Sequence, residues 1–226
     1  MPKAKTKEEI ALADALAIKK ELQKDDFRVS IFGSARIKPN DGIYEQIFDL
    51  AKKIGEHGFD VVTGGGPGLM EAANAGHEAG DPKHTSDNIG LPIALPWENE
   101  PNKHLEIKKD FDKFSGRLDT FMALSSAVVI TPGGVGTCLE LFYSWQLTQV
   151  RHISPIPIIL LGDMWEHLMT WITEYPLRHG WISPEELNNI YIAKDNDEVM
   201  EILLQQYEKF KMEDVSLHNN HKYKLD

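Results

Sequence analysis

One charged side chain, Glu140, lies in an otherwise neutral stretch from residue 120 to residue 150. The predicted helix over residues 137–150 is apolar on most sides, which is typical of a buried helix. Thr137, Glu140 and Ser144 share one face of it, because helical residues three and four apart are neighbours. A carboxylate buried there is costly without a partner, so Glu140 is a candidate for acid–base chemistry or for stabilising a positive charge. The alternative is a first-turn glutamate that complements the helix dipole.

Arg117 is the last cation before this neutral stretch. Its guanidinium can pair with Glu140, or it can bind a phosphate through its planar fork of donors. An ordinary exposed arginine at the start of a helix is the third interpretation. The residue pattern alone leaves all three open.

Three predicted strands end in glycine-containing loops, and each loop precedes a predicted helix. The loops are Gly33-Ser34, Gly64 to Gly68, and Pro132 to Gly136. Ligands of parallel sheets bind beyond the carboxyl ends of the strands, where glycine allows close approach and helix N-termini present free N–H groups. The sequence contains neither a dinucleotide fingerprint nor a Gly-Lys-Ser/Thr phosphate loop. The three loops therefore favour a mononucleotide phosphate.

The elements that must position these loops alternate along the chain. We predict an α/β fold of Rossmann-like, doubly wound type, with a mostly parallel sheet covered by helices on both faces in a single domain. The predicted strands are residues 28–32, 59–63, 89–95, 127–131, 156–161 and 189–193. The predicted helices are residues 6–23, 44–56, 69–79, 116–125, 137–150 and 196–210, with further helical segments from residue 164. Residues 1–26 are interpreted as an N-terminal helical extension, 27–210 as the nucleotide-binding domain, and 211–226 as a flexible tail.

Composition excludes several classes of protein. The 226 residues carry a net charge of −11, which argues against a nucleic-acid partner. No apolar run approaches the length of a membrane span, so no membrane partner is expected. The single cysteine, Cys138, favours a reducing compartment, and we expect a cytoplasmic protein. The nine histidines are scattered, so no metal site is expected. No cofactor is expected either. We interpret Trp165, Trp171 and Trp181 as packing residues.

Two segments together resemble a known family. They are G-G-G-P-G-L-M-E-A-A-N at residues 64–74 and P-G-G-V-G-T-C-L-E at residues 132–140. Both are similar to the LOG ("Lonely Guy") family of nucleoside 5′-monophosphate phosphoribohydrolases, formerly labelled lysine decarboxylase-like. The resemblance implies a Rossmann-like homodimer or higher homo-oligomer that cleaves the N-glycosidic bond of an AMP-like or cytokinin nucleotide to a free base and ribose 5-phosphate. Lysine decarboxylation is disfavoured, because no lysine occurs between Phe114 and Ala193.

The resemblance also implies roles for individual residues. Glu140 occupies the position of the family's catalytic glutamate, and Arg117 that of its motif arginine. The remaining residues, implied to bind the nucleotide, are Gly33, Ser34, Gly65, Gly66, Met70, Glu71, Pro132, Gly133, Gly134, Gly136 and Thr137. The chain departs from the family pattern at Leu118, Phe121, Val135 and Leu139, which leaves the base preference open. Two alternatives also stay open: a non-catalytic nucleotide or molybdenum-cofactor carrier, and a module that senses nucleotide levels.

Overall fold

A seven-stranded sheet with every strand parallel to its neighbours forms the centre of the chain, in a computed structural model that describes residues 6–94 and 100–212. The strand order is β4-β3-β2-β1-β5-β6-β7. The strands are β1 (Arg28–Phe32), β2 (Asp60–Thr63), β3 (Asn88–Gly90), β4 (Ile107–Lys108), β5 (Ala127–Ile130), β6 (Ile158–Leu161) and β7 (Ile190–Ala193). The predicted fold class is confirmed: this is one α/β domain of Rossmann type.

Seven α-helices connect or flank these strands within the described residues. They are α1 (Lys7–Glu21), α2 (Gly42–Glu56), α3 (Leu69–Gly80), α4 (Phe114–Leu124), α5 (Val135–Gln149), α6 (Met164–Ile172) and α7 (Asn196–Met212). The helix start predicted at Thr6 is confirmed, because Thr6 and Glu9 exchange the two hydrogen bonds of a capping box. Helix α7 runs two residues into the segment predicted as a tail, and residues 213–226 lie outside the described part of the chain.

Both faces of the sheet are covered, which explains why its strands are apolar without alternation. Helices α2, α3 and α7 pack on the face that carries Ile31 and Val61. Helices α1, α4, α5 and α6 pack on the face that carries Phe32 and Val128. Part of the apolar surface of α1 is not buried: Leu12 and Leu16 are 63% and 51% exposed.

Ion pairs attach the end of α1 to the amino ends of the strands. The Arg28 guanidinium is fully buried, with Nη2 3.4 Å from Glu21 Oε2 and Nε 3.2 Å from Asp60 Oδ2. The carboxylates around it are those of Glu21, Asp26, Asp60 and Asp87. Burial raises the pKa of Asp60 to about 7, although Arg28 acts to lower it. Because Arg28 already lies among these acids, they form an ion-pair network that anchors α1.

The connection that follows β4 reverses the direction in which strands are added to the sheet. The strands β2, β3 and β4 lie on one side of β1, and the chain then crosses to place β5 on the other side. In an open parallel sheet, such a reversal of strand order leaves a crevice at the carboxyl ends of the two central strands. Here those ends lead into the Gly33 and Pro132 loops. No helix of the described residues is long and apolar enough to cross a membrane.

Candidate functional site

The three glycine-containing loops interlock at the crevice. The Ser34 N–H donates to the Pro132 carbonyl at 3.1 Å, and the Ser34 carbonyl accepts from the Leu69 N–H at 2.9 Å. Gly68 has a φ of +71°, and a Cβ atom there would collide with the Ser34 carbonyl oxygen. Glycine is therefore required at position 68, both for its backbone conformation and for the contact between the first two loops.

The third loop ends at an uncapped helix N-terminus. The Thr137 side chain packs directly on Gly133, where no Cβ would fit. Gly134 and Gly136 instead face open space, and Gly134 is the N-cap residue of α5 with no side-chain capping bond. The first N–H groups of a helix have no partner within the helix, so this end of α5 can receive an anion.

Arg117 lies in the first turns of α4, and its guanidinium is held on three sides. Its Nε donates to the Leu91 carbonyl at 2.6 Å. Its Nη1 lies 3.5 Å from Glu140 Oε1, and its Nη2 packs so closely on Gly64 that a Cβ there would collide with it. Of the three interpretations left open by the sequence, the exposed arginine is wrong, because Arg117 is only 7% exposed.

Glu140 faces Arg117 from the second turn of α5, and its side chain is 12% exposed. Burial raises the pKa of Glu140 to about 7, and the positive charge of Arg117 opposes that rise. A carboxyl group with a pKa near neutrality can exchange a proton at physiological pH, and its ionised form can stabilise a cation. The hydroxyl of Tyr143 donates to Asp119, which joins α5 to α4 close to the Arg117–Glu140 pair.

The two other residues expected in the pocket, Met70 and Glu71, lie on different sides of α3. The Met70 sulfur lies 2.6 Å from where a Cβ of Gly64 would stand, so it packs on the second loop beside Arg117. Glu71 faces α2, where its charge adds to burial in raising the pKa of Tyr44. The structure thus groups Met70 with Arg117 and Gly64, and it turns Glu71 toward the neighbouring helix.

One residue against the second loop was missed from the sequence. Asn102 donates from its backbone N–H to the Gly65 carbonyl at 2.8 Å and from its side chain to the Gly66 carbonyl at 3.1 Å. Asn102 belongs to no motif, and it is brought to the loop by the segment between β3 and β4. No signal in the sequence alone marked it.

Comparison with known proteins identifies relatives of the chain. The sequence pattern of the family described as possible lysine decarboxylase matches residues 69–203. A pyrimidine/purine nucleotide 5′-monophosphate nucleosidase of Escherichia coli strain K12 is 30% identical over 143 residues, which span 59% of this chain but only 30% of that protein. A probable cytokinin riboside 5′-monophosphate phosphoribohydrolase, LOGL3 of Oryza sativa subsp. japonica, is 28% identical over 69% of this chain and 72% of its own.

Solved structures of other proteins share the fold. The molybdenum cofactor binding protein of Rippkaea orientalis superposes with a TM-score of 0.60 over 80% of this chain and 96% of its own, at 19% identity. The molybdenum cofactor carrier protein of Chlamydomonas reinhardtii gives a TM-score of 0.59 over 81% and 99% of the two chains, at 20% identity. At such identities the likeness concerns the fold alone.

Proposed function

The chain belongs to the family described as possible lysine decarboxylase, and from the geometry of its site and the names of its relatives we propose that it hydrolyses the N-glycosidic bond of a nucleoside 5′-monophosphate. The products are a free base and ribose 5-phosphate. The observation that carries the proposal is the buried Glu140 carboxyl group, paired with Arg117 between two glycine-containing loops. The names of the relatives from Escherichia coli and rice support the same class of substrate.

The phosphate in this proposal binds at the N-terminus of α5. Its oxygens accept hydrogen bonds from the loop and the first turn of the helix, with Ser34 alongside. The residues that form this phosphate site are Gly133, Gly134, Gly136 and Thr137. Because Gly134 and Gly136 border open space, the backbone can meet the anion directly.

The chemical step in this proposal is attack of water on the ribose carbon C1′. The bond from C1′ to the base nitrogen breaks, the bond from C1′ to the water oxygen forms, and the base leaves with the electron pair of the broken bond. Positive charge develops on the ribose in between, as in glycoside hydrolysis. The ionised Glu140 stabilises that charge and takes a proton from the water, while Arg117 favours the ionised form of Glu140. The departing base takes up a proton from solvent, and Glu140 returns its proton to solvent, so that the products are the neutral base and ribose 5-phosphate.

Two further properties belong to the same proposal. We place the enzyme in the cytoplasm, since its one cysteine suits a reducing compartment. We also propose a homodimer, because α5 keeps Leu141 and Trp145 in the core but leaves Phe142 41% exposed, and Val150, the C-cap residue of α5, is 56% exposed. Phe142 borders a cleft of about 280 Å³ whose walls also include Trp171, and an apolar surface of this kind is typical of a protein interface.

The test is hydrolysis by the purified protein of a panel of purine and pyrimidine 5′-monophosphates, with ribose 5-phosphate as the measured product. Glu140→Gln should lower turnover by ~10²–10⁴-fold, the usual contribution of acid–base catalysis. Calorimetry should show that this variant still binds nucleotide, because the phosphate site does not include Glu140. Glu166→Gln is the matched control, since Glu166 is exposed on α6.

Two outcomes would contradict the proposal. Normal turnover by Glu140→Gln would remove that residue from the mechanism. A wild-type protein that binds the nucleotides but hydrolyses none of them would favour the carrier hypothesis instead.

A further inference from the structure

A buried network of amide groups lies directly behind the Gly64–Gly68 loop, and the proposed mechanism gives it no role. Asn74 and Asn88 are 0% and 1% exposed. The Asn74 side-chain nitrogen donates to Asn88 Oδ1 at 2.6 Å. Asn74 Oδ1 accepts from Thr63 Oγ1 at 2.7 Å and from Asn102 Nδ2 at 2.9 Å. These hydrogen bonds strongly favour one arrangement of the buried side chains, because breaking any of them leaves a buried polar atom unpaired.

Asn102 extends this network to the backbone of the loop. It holds two consecutive carbonyl oxygens, those of Gly65 and Gly66. In a planar trans peptide the carbonyl and the following N–H point in opposite directions. The bond to the Gly65 carbonyl therefore fixes the Gly66 N–H on the side away from Asn102. Gly65 has a φ of +70°. Because an unrestrained glycine residue can adopt many backbone conformations, hydrogen bonds are needed to hold it in this one.

The same loop forms one of the surfaces on which Arg117 packs. The guanidinium packs directly on Gly64, one residue before the carbonyls that Asn102 holds. The Gly65 N–H donates to Thr63 Oγ1 at 2.9 Å, so the network holds the loop from both of its sides. A shift of the loop would change the space that Arg117 occupies opposite Glu140.

We propose that Asn102 is a positioning residue of the site, which holds the Gly64–Gly68 loop in the shape that receives the ribose and base. The kinetic part of this inference rests on the proposed function. Asn102 acts through the loop, whereas the proposed phosphate site is formed by the first turn of α5. Loss of the Asn102 side chain should therefore weaken the binding of a whole nucleotide and leave the binding of phosphate unchanged.

The variant Asn102→Ala removes the side-chain amide and keeps the backbone N–H that donates to Gly65. Asn188→Ala is the matched control, since Asn188 is exposed and remote from the loops. We expect the KM of Asn102→Ala for AMP to rise about tenfold, with kcat changed much less. Calorimetry should give the wild-type affinity for inorganic phosphate. An equal loss of phosphate and nucleotide affinity would overturn the proposal, because it would indicate general damage to the fold.

Hydrogen exchange on the ligand-free protein provides a second measurement that does not depend on turnover. In Asn102→Ala, the amides of Gly65 and residue 102 should exchange about tenfold faster or more, with the core of the sheet unchanged. If the amides of Asn102→Ala exchange at the wild-type rate, the proposed role of Asn102 is overturned. The same holds if they exchange faster but the KM for AMP is unchanged. If the wild type hydrolyses no nucleotide, the proposed function alone fails, and the dissociation constant for AMP then takes the place of KM.

Discussion

Replacing Glu140 with glutamine should stabilise the ligand-free protein, and the stabilisation should grow with pH. Burial raises the pKa of Glu140 from 4.5 to about 7, so the folded protein retains a proton that the unfolded chain has already released. The contribution of Glu140 to the free energy of unfolding of the wild type must therefore fall as the pH rises from 4.5 through 7. Glutamine has nearly the same shape as glutamate and does not ionise, so residue 140 of the variant causes no loss of stability as the pH rises.

The size of the effect follows from the same pKa. At about 1.36 kcal/mol per pKa unit, the rise of the Glu140 pKa corresponds to roughly 3 kcal/mol at pH 8 and to almost nothing at pH 4. Asp60 also titrates with a pKa of about 7, but it is present in both proteins and cancels in the difference. A loss of stability at the residue proposed to act in catalysis is the trade-off expected between activity and stability.

Urea denaturation at pH 5 and at pH 8 measures this difference. The free energy of unfolding of Glu140→Gln should exceed that of the wild type at pH 8, and the gap should shrink at pH 5. The exposed Glu166→Gln should show no gap at either pH. A Glu140→Gln protein that is no more stable than the wild type at pH 8, or equally more stable at both pH values, would refute the reasoning.

Three further predictions concern Arg117, Gly68 and the oligomeric state. Arg117→Ala removes the charge that lowers the Glu140 pKa, so the acid limb of the pH–rate profile should move to higher pH. An acid limb at the wild-type pH would show that Arg117 does not influence the ionisation of Glu140. Gly68→Ala should cost at least about 1–3 kcal/mol in thermal unfolding, because of its positive φ and its contact with Ser34, while Gly134→Ala should cost less; equal losses would contradict this. Light scattering should give a mass well above the 25.6 kDa of one chain, and a monomer at micromolar concentration would refute the dimer.

The sequence predicted those parts of the fold that depend on local patterns. Strand β1 was predicted at its observed residues, and the glycine-containing loops were placed at the carboxyl ends of the correct strands. The strand predicted at residues 89–95 covers only residues 88–90. Strand β4, with two residues, was missed because so short an element carries no periodicity and exists only by pairing with β3.

Which side of an element faces the core was harder to predict. Trp165 is buried as expected, but Trp171 and Trp181 are 50% and 72% exposed, so their interpretation as packing residues is wrong. Trp165 and Trp171 lie on the same short helix, α6, and Trp181 follows that helix without belonging to it, so residue type alone does not show which of them faces the core. In the site, pairing of Arg117 with Glu140 was one of three interpretations that the sequence left open. The pairing depends on the packing of α4 against α5, which the sequence does not show.

The pairing of β1 with β5 also affects when the site can form during folding. Arg28 and Ser126, hydrogen-bonded at the base of this pair, are 98 residues apart in the chain. At the other end, the bond from Ser34 to Pro132 joins the first and third loops. Contacts between such distant segments are slow to form, because the closure entropy of the intervening chain must be overcome first. The proposed nucleotide site can therefore form only after β5 has been inserted beside β1, so the gain of nucleotide affinity that this proposal expects during refolding would report completion of the central sheet.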